Sequence, residues 1–164
     1  NLMRHDSGLN DMVYTYEDVA NQNGLHMSPR MWRQHILPRH LRLNAVIKRY
    51  GLKIMYHSCG AIVPLVRPMI NEMGIAVLNP LQPRAAGMDM ARLKREFGAE
   101  IAFHGGIDLQ ETMPHGTPAQ VQAEVAERIR ILGAGGGYIC ATAHYIQADV
   151  PLANILALYT APRN

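Results

Sequence analysis

The stretch Lys53-Ile54-Met55-Tyr56-His57-Ser58-Cys59-Gly60 determines how the rest of this chain is interpreted. Ile54, Met55 and Tyr56 form a short apolar run typical of a buried strand, and His57 and Cys59 stand where that strand ends. Residues two apart on an extended backbone point to the same side, so this imidazole and this thiol can approach one ion. Such donors suit zinc. A buried thiol beside a hydrogen-bonded histidine is an equally simple interpretation.

Short apolar runs alternate with helical patterns along the chain. The predicted strands cover residues 12–16, 53–57, 76–79, 101–103 and 137–141. The predicted helices cover residues 28–50 with an interruption at Pro38, residues 62–73, residues 90–97, a segment that opens at Thr117 with a capping-box pattern, and a segment after Pro151. Strands that are each followed by a helix predict right-handed βαβ units and a parallel sheet.

Polar side chains follow the carboxyl ends of the predicted strands. They are Glu17, His57, Cys59, Asn79, Gln82, His104, Asp108, Gln110 and His144. In a (β/α)₈ barrel, the loops at that end build the active site, and the complete barrel needs eight strands and roughly 250 residues. The 164 residues provide material for about five units. The sequence therefore predicts an α/β fold, the C-terminal portion of a TIM barrel, with residues 1–164 forming a single domain.

Composition excludes several classes of protein. Hydrophobic residues make up 48% and charged residues 18%, as in soluble globular proteins. No apolar run approaches the roughly 18 residues of a membrane helix, and no signal peptide is visible. Two cysteines do not form a disulfide framework, so a reduced, cytoplasmic setting is expected. The aromatic residues are not interleaved with basic ones, which argues against nucleic-acid binding.

Several segments, taken in order, resemble the uroporphyrinogen-decarboxylase-like superfamily and, within it, the zinc-dependent corrinoid methyltransferases. His57-Ser58-Cys59-Gly60 is similar to the His-x-Cys metal motif of those methyltransferases. The other similar segments are Glu17-Asp18, Gln22-Asn23-Gly24, Met27-Ser28-Pro29, Asn79-Pro80-Leu81-Gln82-Pro83, His104-Gly105-Gly106-Ile107-Asp108, Gly135-Gly136-Gly137-Tyr138-Ile139, and Asp149-Val150-Pro151 with Asn154. The resemblance runs through most of the chain.

The resemblance implies a metal-ligand set of His57, Cys59 and His144. In the methyltransferases the third ligand is commonly a cysteine at a fixed short distance before the proline that opens the last helix. Counting back from Pro151 reaches His144, whereas Cys140 lies four residues earlier, about 13 Å along an extended strand. Cys140 is therefore expected deeper in the barrel, as a small buried side chain, and is the substitute ligand. Glu17 is a possible fourth ligand.

The function implied is zinc-dependent methyl transfer between a corrinoid (cobalamin) carried by a partner protein and a thiol or other small acceptor. His57, Cys59 and His144 would be the catalytic residues. The expected substrate-binding residues are Glu17, Asn79, Gln82, Asp108 and Gln110.

Two alternatives remain open at the level of the sequence. One is metal-free decarboxylation of a tetrapyrrole in a pocket built around His144 and Asp108, because the closing strand of the decarboxylases also ends in histidine. The other is a non-catalytic barrel fragment. Five βα units leave two parallel sheet edges unpaired, and such edges favour a homo-oligomer or a second chain that completes the barrel.

Overall fold

A five-stranded parallel sheet forms the centre of the computed structural model, which describes residues 11–162. The strands of this sheet are β1 (Met12–Tyr16), β4 (Lys53–His57), β5 (Val77–Leu81), β6 (Ala102–Ile107) and β7 (Tyr138–Thr142). They lie side by side in chain order, and every neighbouring pair is parallel. Two-residue strands β2 (Ala20–Asn21) and β3 (Gly24–Leu25) form a separate antiparallel hairpin. The ends of the predicted domain, residues 1–10 and 163–164, lie outside the described residues.

The helices are α1 (Pro29–His35), α2 (Leu37–Arg49), α3 (Val63–Pro68), α4 (Met90–Phe97), α5 (Thr112–His115), α6 (Pro118–Leu132) and α7 (Leu152–Thr160). Helices α1 to α6 connect neighbouring strands of the parallel sheet, and α7 follows the last strand. Strand-helix-strand connections between parallel neighbours are the repeating unit of a TIM barrel. The predicted fold class, part of such a barrel, is confirmed. None of the helices within residues 11–162 has both the length and the apolarity needed to cross a bilayer.

Two of the predicted helices deviate from regular geometry. The Ser28 hydroxyl caps α1 by accepting from the backbone N–H of Met31 at 3.2 Å. The helix breaks at Ile36, so Pro38 falls in the first turn of α2, where a missing N–H leaves no hydrogen bond unmade. The helix predicted over residues 62–73 is regular as far as Pro68. It continues as a wider π-helical turn, Met69–Met73.

Strands β5 and β6 run further than the sequence indicates, so Asn79 and His104 lie inside strands rather than after them. Pro80 and the pair Gly105-Gly106 are typical strand breakers, but the ladder accommodates both. The pairing of β5 with β6 shifts register between Leu78 and Leu81, around Pro80. Gly105 and Gly106 adopt positive φ and still pair with β7. The predicted ends of these two strands were therefore wrong.

The two faces of the sheet have different surroundings. On β4, Ile54 and Tyr56 are buried with Trp32 and Ile47 in the larger hydrophobic core, beneath the helices. A second core joins α6 and α7; it includes Val121, Val125, Ala157 and Leu158. Because side chains alternate along a strand, Met55 and His57 face the other way, into a cavity of about 380 Å³. The candidate functional residues are therefore held on a strand whose opposite face is fixed by packing.

Candidate metal centre

The structure brings His57, Cys59 and His144 together. Each residue offers one ligand atom, and these three atoms lie within 4.8 Å of one another. His57 Nε2 is 3.5 Å from Cys59 Sγ, and the His144 ring stands edge-on to the His57 ring with a centroid separation of 5.7 Å. Nitrogen and sulfur ligands of a tetrahedral zinc ion are about 3.6 Å apart, given the usual bond lengths. The donor types and the His57–Cys59 separation therefore fit a zinc ion.

These donors come together from strands that are not neighbours, as in a sheet curved towards a barrel. His57 and Cys59 lie at the end of β4, whereas His144 follows β7, and β5 and β6 lie between those two strands. In a flat sheet β4 and β7 would be about 14 Å apart. Bending of the kind that closes a barrel brings the ends of these strands towards a common point.

The loop that carries Cys59 is fixed by two hydrogen bonds and by a close approach of Gly60 to the hairpin. The backbone N–H of Cys59 donates to Asp18 Oδ1 at 2.8 Å, and that of Gly60 donates to Gln82 Oε1 at 2.7 Å. The backbone of Gly60 has φ +91°, and a Cβ there would lie 2.5 Å from the carbonyl oxygen of Asn21 in the hairpin. Only glycine permits this close approach. The hairpin and the β5 loop thus position the thiol.

Side chains on the two neighbouring strands contact the Nδ1 side of the His57 imidazole. Its Nδ1 lies 2.6 Å from the Tyr14 hydroxyl and 2.7 Å from Asn79 Oδ1. The Tyr14 hydroxyl donates to the same Asn79 oxygen at 3.1 Å, and Asn79 Nδ2 lies 2.6 Å from His104 Nδ1. With His57 protonated on Nδ1, this nitrogen donates to Asn79 Oδ1, and the lone pair of Nε2 is available to a cation beside Cys59.

The surroundings of Cys59 disfavour a free thiolate. They favour a sulfur that carries a proton or that binds a cation. Burial, followed by the negative charge of Asp18, raises the pKa of Cys59 to about 11. Burial also raises the pKa of Tyr14, and it lowers the pKa of His104 with a further contribution from His57. Asp18 Oδ1 is also 3.6 Å from His57 Nε2. A carboxylate next to a thiol and two imidazoles provides the negative charge that a divalent cation requires.

Among the residues that the structure describes, neither Glu17 nor Cys140 belongs to the group of close donors formed by His57, Cys59 and His144. Glu17 is exposed and contacts the site through its backbone, whose N–H donates to the carbonyl oxygen of His57 at 3.1 Å. Cys140 is exposed on β7, where it pairs with Gly105. The expectation that Cys140 is a small buried side chain is wrong. Strand β7 has a single neighbour, β6, in the described part of the sheet.

The predicted substrate-binding residues fall in different places. Asn79 lines the cavity of His57, whereas Gln82 supports the Cys59 loop and also accepts from Gln22 Nε2 at 3.0 Å. Asp108 is buried, 2.5 Å from Arg84, in a separate cavity of about 790 Å³ beside α5 and α6. Gln110 is exposed, and its backbone N–H donates to Asp108 Oδ1 at 2.8 Å.

Three residues of the site were given no role by the sequence analysis: Tyr14, Asp18 and His104. Tyr14 lies inside β1, two residues before the strand end, so it shares the face of the site without standing at a loop. Asp18 was noted only as the neighbour of Glu17. His104 was grouped with polar residues at strand ends. Contacts across strands, which depend on register, assign these three residues to the site.

A bent, all-parallel sheet with polar side chains gathered at its carboxyl ends defines the class of barrel enzymes whose active sites lie at that edge. The family model "Uroporphyrinogen decarboxylase (URO-D)" matches residues 12–164, and the chain belongs to this family. The resemblance inferred from the sequence is thus confirmed for the family.

Two individual proteins are similar to this chain, one over a part of it and the other over most of it. The uroporphyrinogen decarboxylase of Sodalis glossinidius (strain morsitans) is 33% identical over 66 residues, which are 40% of this chain and 18% of that protein. A methyltransferase from Methanosarcina mazei has a similar structure, with a TM-score of 0.71 and 22% identity, over 92% of this chain and 41% of that chain. The present chain thus spans less than half the length of each relative.

Proposed function

We propose that this chain carries the metal site of a zinc-dependent methyltransferase. The reaction is methyl transfer between a corrinoid (cobalamin), carried by a separate protein, and a thiol or other small acceptor. The observation that supports this proposal is the group of three ligand atoms within 4.8 Å of one another, at the carboxyl edge of a barrel sheet. The similarity to a solved methyltransferase is consistent with the scaffold.

The residues of the site have separate roles in this proposal. His57, Cys59 and His144 would hold the zinc ion, and three protein ligands leave one coordination position for a substrate. The bound metal would lower the pKa of an acceptor thiol, so that a thiolate nucleophile is available at neutral pH. The cavity of about 380 Å³, which His144 and Tyr145 also line, has room for a small acceptor. Asn79 contacts Tyr14, His57 and His104, so its role is to orient His57 rather than the substrate.

Metal analysis of the purified 164-residue chain tests this proposal. We expect about one equivalent of zinc in the unaltered chain, and loss of most of it in C59A and H144A. The C140A variant is the matched control, because it also removes a thiol but one that is exposed and outside the ligand group. Absence of zinc from the unaltered chain, or retention of zinc by C59A, would refute the proposal.

A second candidate function is metal-free decarboxylation of a tetrapyrrole. The identity with a uroporphyrinogen decarboxylase favours it, as does the larger cavity that contains Arg84 and Asp108. An arginine there offers a donor to a substrate carboxylate. The expected pocket around both His144 and Asp108 is not formed, because His144 lines the other cavity. Titration with a porphyrin, followed by fluorescence, separates the two functions: binding that is lost in R84A, together with absence of zinc, would favour the decarboxylase.

A further inference from the structure

One segment of the chain carries a marked excess of positive charge. Residues 19–71 contain none of the 13 acidic residues, whereas eight of the 16 lysines and arginines fall there. They are Arg30, Arg33, Arg39, Arg42, Lys48, Arg49, Lys53 and Arg67. Within residues 11–162, Arg42 and Arg49 on α2 form no ion pair. These two guanidinium groups therefore lack the negative partner that the rest of the described fold does not provide.

Two rows of exposed side chains run along the solvent side of α2. The residues that anchor the helix from its other side are Leu37, His40, Asn44 and Ile47, all buried. One exposed row is apolar, with Leu43, Val46 and Tyr50 at positions i, i+3 and i+7. The other is basic, with Arg42 and Arg49 seven residues apart. Val46 lies at the centre of this α2 patch, because each of the other four residues is three or four positions away.

The α2 patch has the composition of a protein–protein interface. Its three apolar side chains are each 44–45% exposed, on a helix that Asn44 Nδ2 ties to the carbonyl oxygen of Met73 at 3.0 Å. An exposed tyrosine next to two unpaired arginines matches interfaces, which are enriched in both residue types and depleted in lysine and glutamate. The arginines require the partner to be acidic, and the apolar row requires it to be apolar between its acidic groups.

Two other anionic partners fit the α2 patch less well. A helix that binds a membrane places its main apolar face in the lipid, but the corresponding side chains of α2, Leu37 and Ile47, are buried in the protein core. A nucleic acid would contact the arginines through its phosphates and would leave the apolar row without a partner. A protein helix satisfies both rows at once.

We propose that the α2 patch is a docking site for an acidic amphipathic helix of another protein. The apolar row of that helix packs against Leu43, Val46 and Tyr50. Carboxylates seven residues apart on the partner pair with Arg42 and Arg49, which are about 10 Å apart along the axis of α2. The patch lies on the helix-covered side of the sheet, whereas the metal-ligand candidates face the cavity on the other side, so this inference does not depend on the proposed function.

Fluorescence anisotropy with a labelled synthetic helix tests this inference on the 164-residue chain. The probe has three heptads with leucine at two positions of each and glutamate at the flanking positions; a second probe has lysine in place of glutamate. We expect the glutamate probe to bind, more weakly as salt is added, and the lysine probe not to bind. The R42E/R49E variant should weaken binding by at least about tenfold, because two attractive contacts become repulsive.

The R95E/R130E variant is the matched control, since it makes the same change in charge at exposed arginines of α4 and α6. It should bind the glutamate probe like the unaltered chain. V46S, which changes no charge, should weaken binding by about three- to tenfold, whereas L156S on the exposed side of α7 should not. If R42E/R49E does not fold, R42Q/R49Q replaces it.

Equal losses in R42E/R49E and R95E/R130E, or unchanged binding in V46S, would overturn the inference. Equal binding of the lysine probe would do the same. Tighter binding to phosphatidylserine vesicles or to duplex DNA than to the glutamate probe, lost in R42E/R49E, would assign the α2 patch to another class of partner and would also overturn it.

Discussion

At the scale of single residues, Asp18 and burial act together on the thiol of Cys59. Asp18 Oδ1 accepts from the Cys59 backbone N–H at 2.8 Å, and its negative charge opposes ionisation of the nearby sulfur. Burial is the larger cause of the raised pKa. The carboxylate therefore has two effects that can be separated, one on the position of the loop and one on the charge of the sulfur.

The D18N variant should lower the pKa of Cys59 while leaving the loop in place. Asparagine keeps the Oδ1 acceptor and removes the charge, so we expect a thiol pKa below the value of about 11 in the unaltered chain. The pKa should stay above the ordinary thiol value of 9.0, because burial is unchanged. The pH dependence of alkylation in metal-free protein measures this, in a C140A background so that only Cys59 reacts. An unchanged or higher pKa would contradict the role given to Asp18.

The sequence predicted the proximity of three donor side chains, His57, Cys59 and His144, better than it predicted their surroundings. His57 and Cys59 are two residues apart on one strand end, so their proximity follows from local geometry. His144 required the resemblance to a family, since it lies 85 positions after Cys59 in the chain. Tyr14 and His104 could not be assigned, because their contacts depend on the register of β1, β5 and β6.

At the scale of elements, the start of α6 depends on a reciprocal pair of hydrogen bonds. The Thr117 hydroxyl accepts from the backbone N–H of Gln120 at 3.3 Å, and Gln120 Oε1 accepts from the backbone N–H of Thr117 at 2.7 Å. We expect T117A to lower the free energy of unfolding by about 1 kcal/mol, measured by urea denaturation. T117S keeps the hydroxyl and should lose much less. Equal losses in both variants would contradict the capping role.

The packing of α2 against β4 makes stability sensitive to acid. His40 on α2 is buried edge-on to Tyr56, and its Nδ1 has no hydrogen-bond partner within residues 11–162. Burial lowers the pKa of His40, although the charge of Glu17 acts in the opposite direction. The unfolded chain binds a proton there near pH 6.5, whereas the folded chain binds it only at lower pH. The contribution of His40 to stability is therefore present above pH 6.5 and is lost as the pH falls below it.

The H40L variant should lose less stability than the unaltered chain when the pH falls from 7.5 to 5.5. Urea midpoints at the two pH values measure this difference, whatever the absolute stability of the variant. His35 is exposed on α1 and serves as the control: H35L should keep the pH dependence of the unaltered chain. If H40L and the unaltered chain respond equally to acid, burial of His40 is not the cause.

Elements with their own local signals were predictable, whereas elements held by distant contacts were not. Ser28 and Thr117 mark the starts of α1 and α6 through side chains within a single turn. The β2–β3 hairpin and α5 have too few residues for a periodic pattern. The hairpin is fixed by the bond from Ala61 N–H to the carbonyl oxygen of Asn21 at 2.8 Å, and α5 by bonds from Asn154 Nδ2.

At the scale of the whole molecule, the sheet has two open edges. In the described part of the chain β1 pairs only with β4, and β7 pairs only with β6. Tyr16 on β1 and Ile139 on β7 are exposed. Unpaired strand edges associate with other strands unless charge or cover prevents it. The homo-oligomer, or the second chain that completes the barrel, stays a prediction from this arrangement.

We expect the 164-residue chain to associate as its concentration rises, and I139K to weaken that association by placing a charge on the β7 edge. Sedimentation velocity over a hundredfold range of concentration measures it. Leu43 on α2 is exposed to a similar degree, 45% against 41% for Ile139, so L43K is the matched control. A monomer at every concentration, or an equal effect of L43K, would contradict a role for the sheet edge.

The curvature of a barrel sheet links the proposed metal site to residues that do not contact it. His57 and Cys59 lie at the end of β4 and His144 follows β7, so a cation held by all three would join strand ends that are separated by β5 and β6. A change in packing that flattens the sheet would move these strand ends apart. The affinity for the ion would then fall, even with every donor side chain intact. Leu78 on β5 and Phe103 on β6 are fully buried in the larger hydrophobic core. If the proposed zinc site is correct, the packing of that core bears on ion affinity as well as on stability.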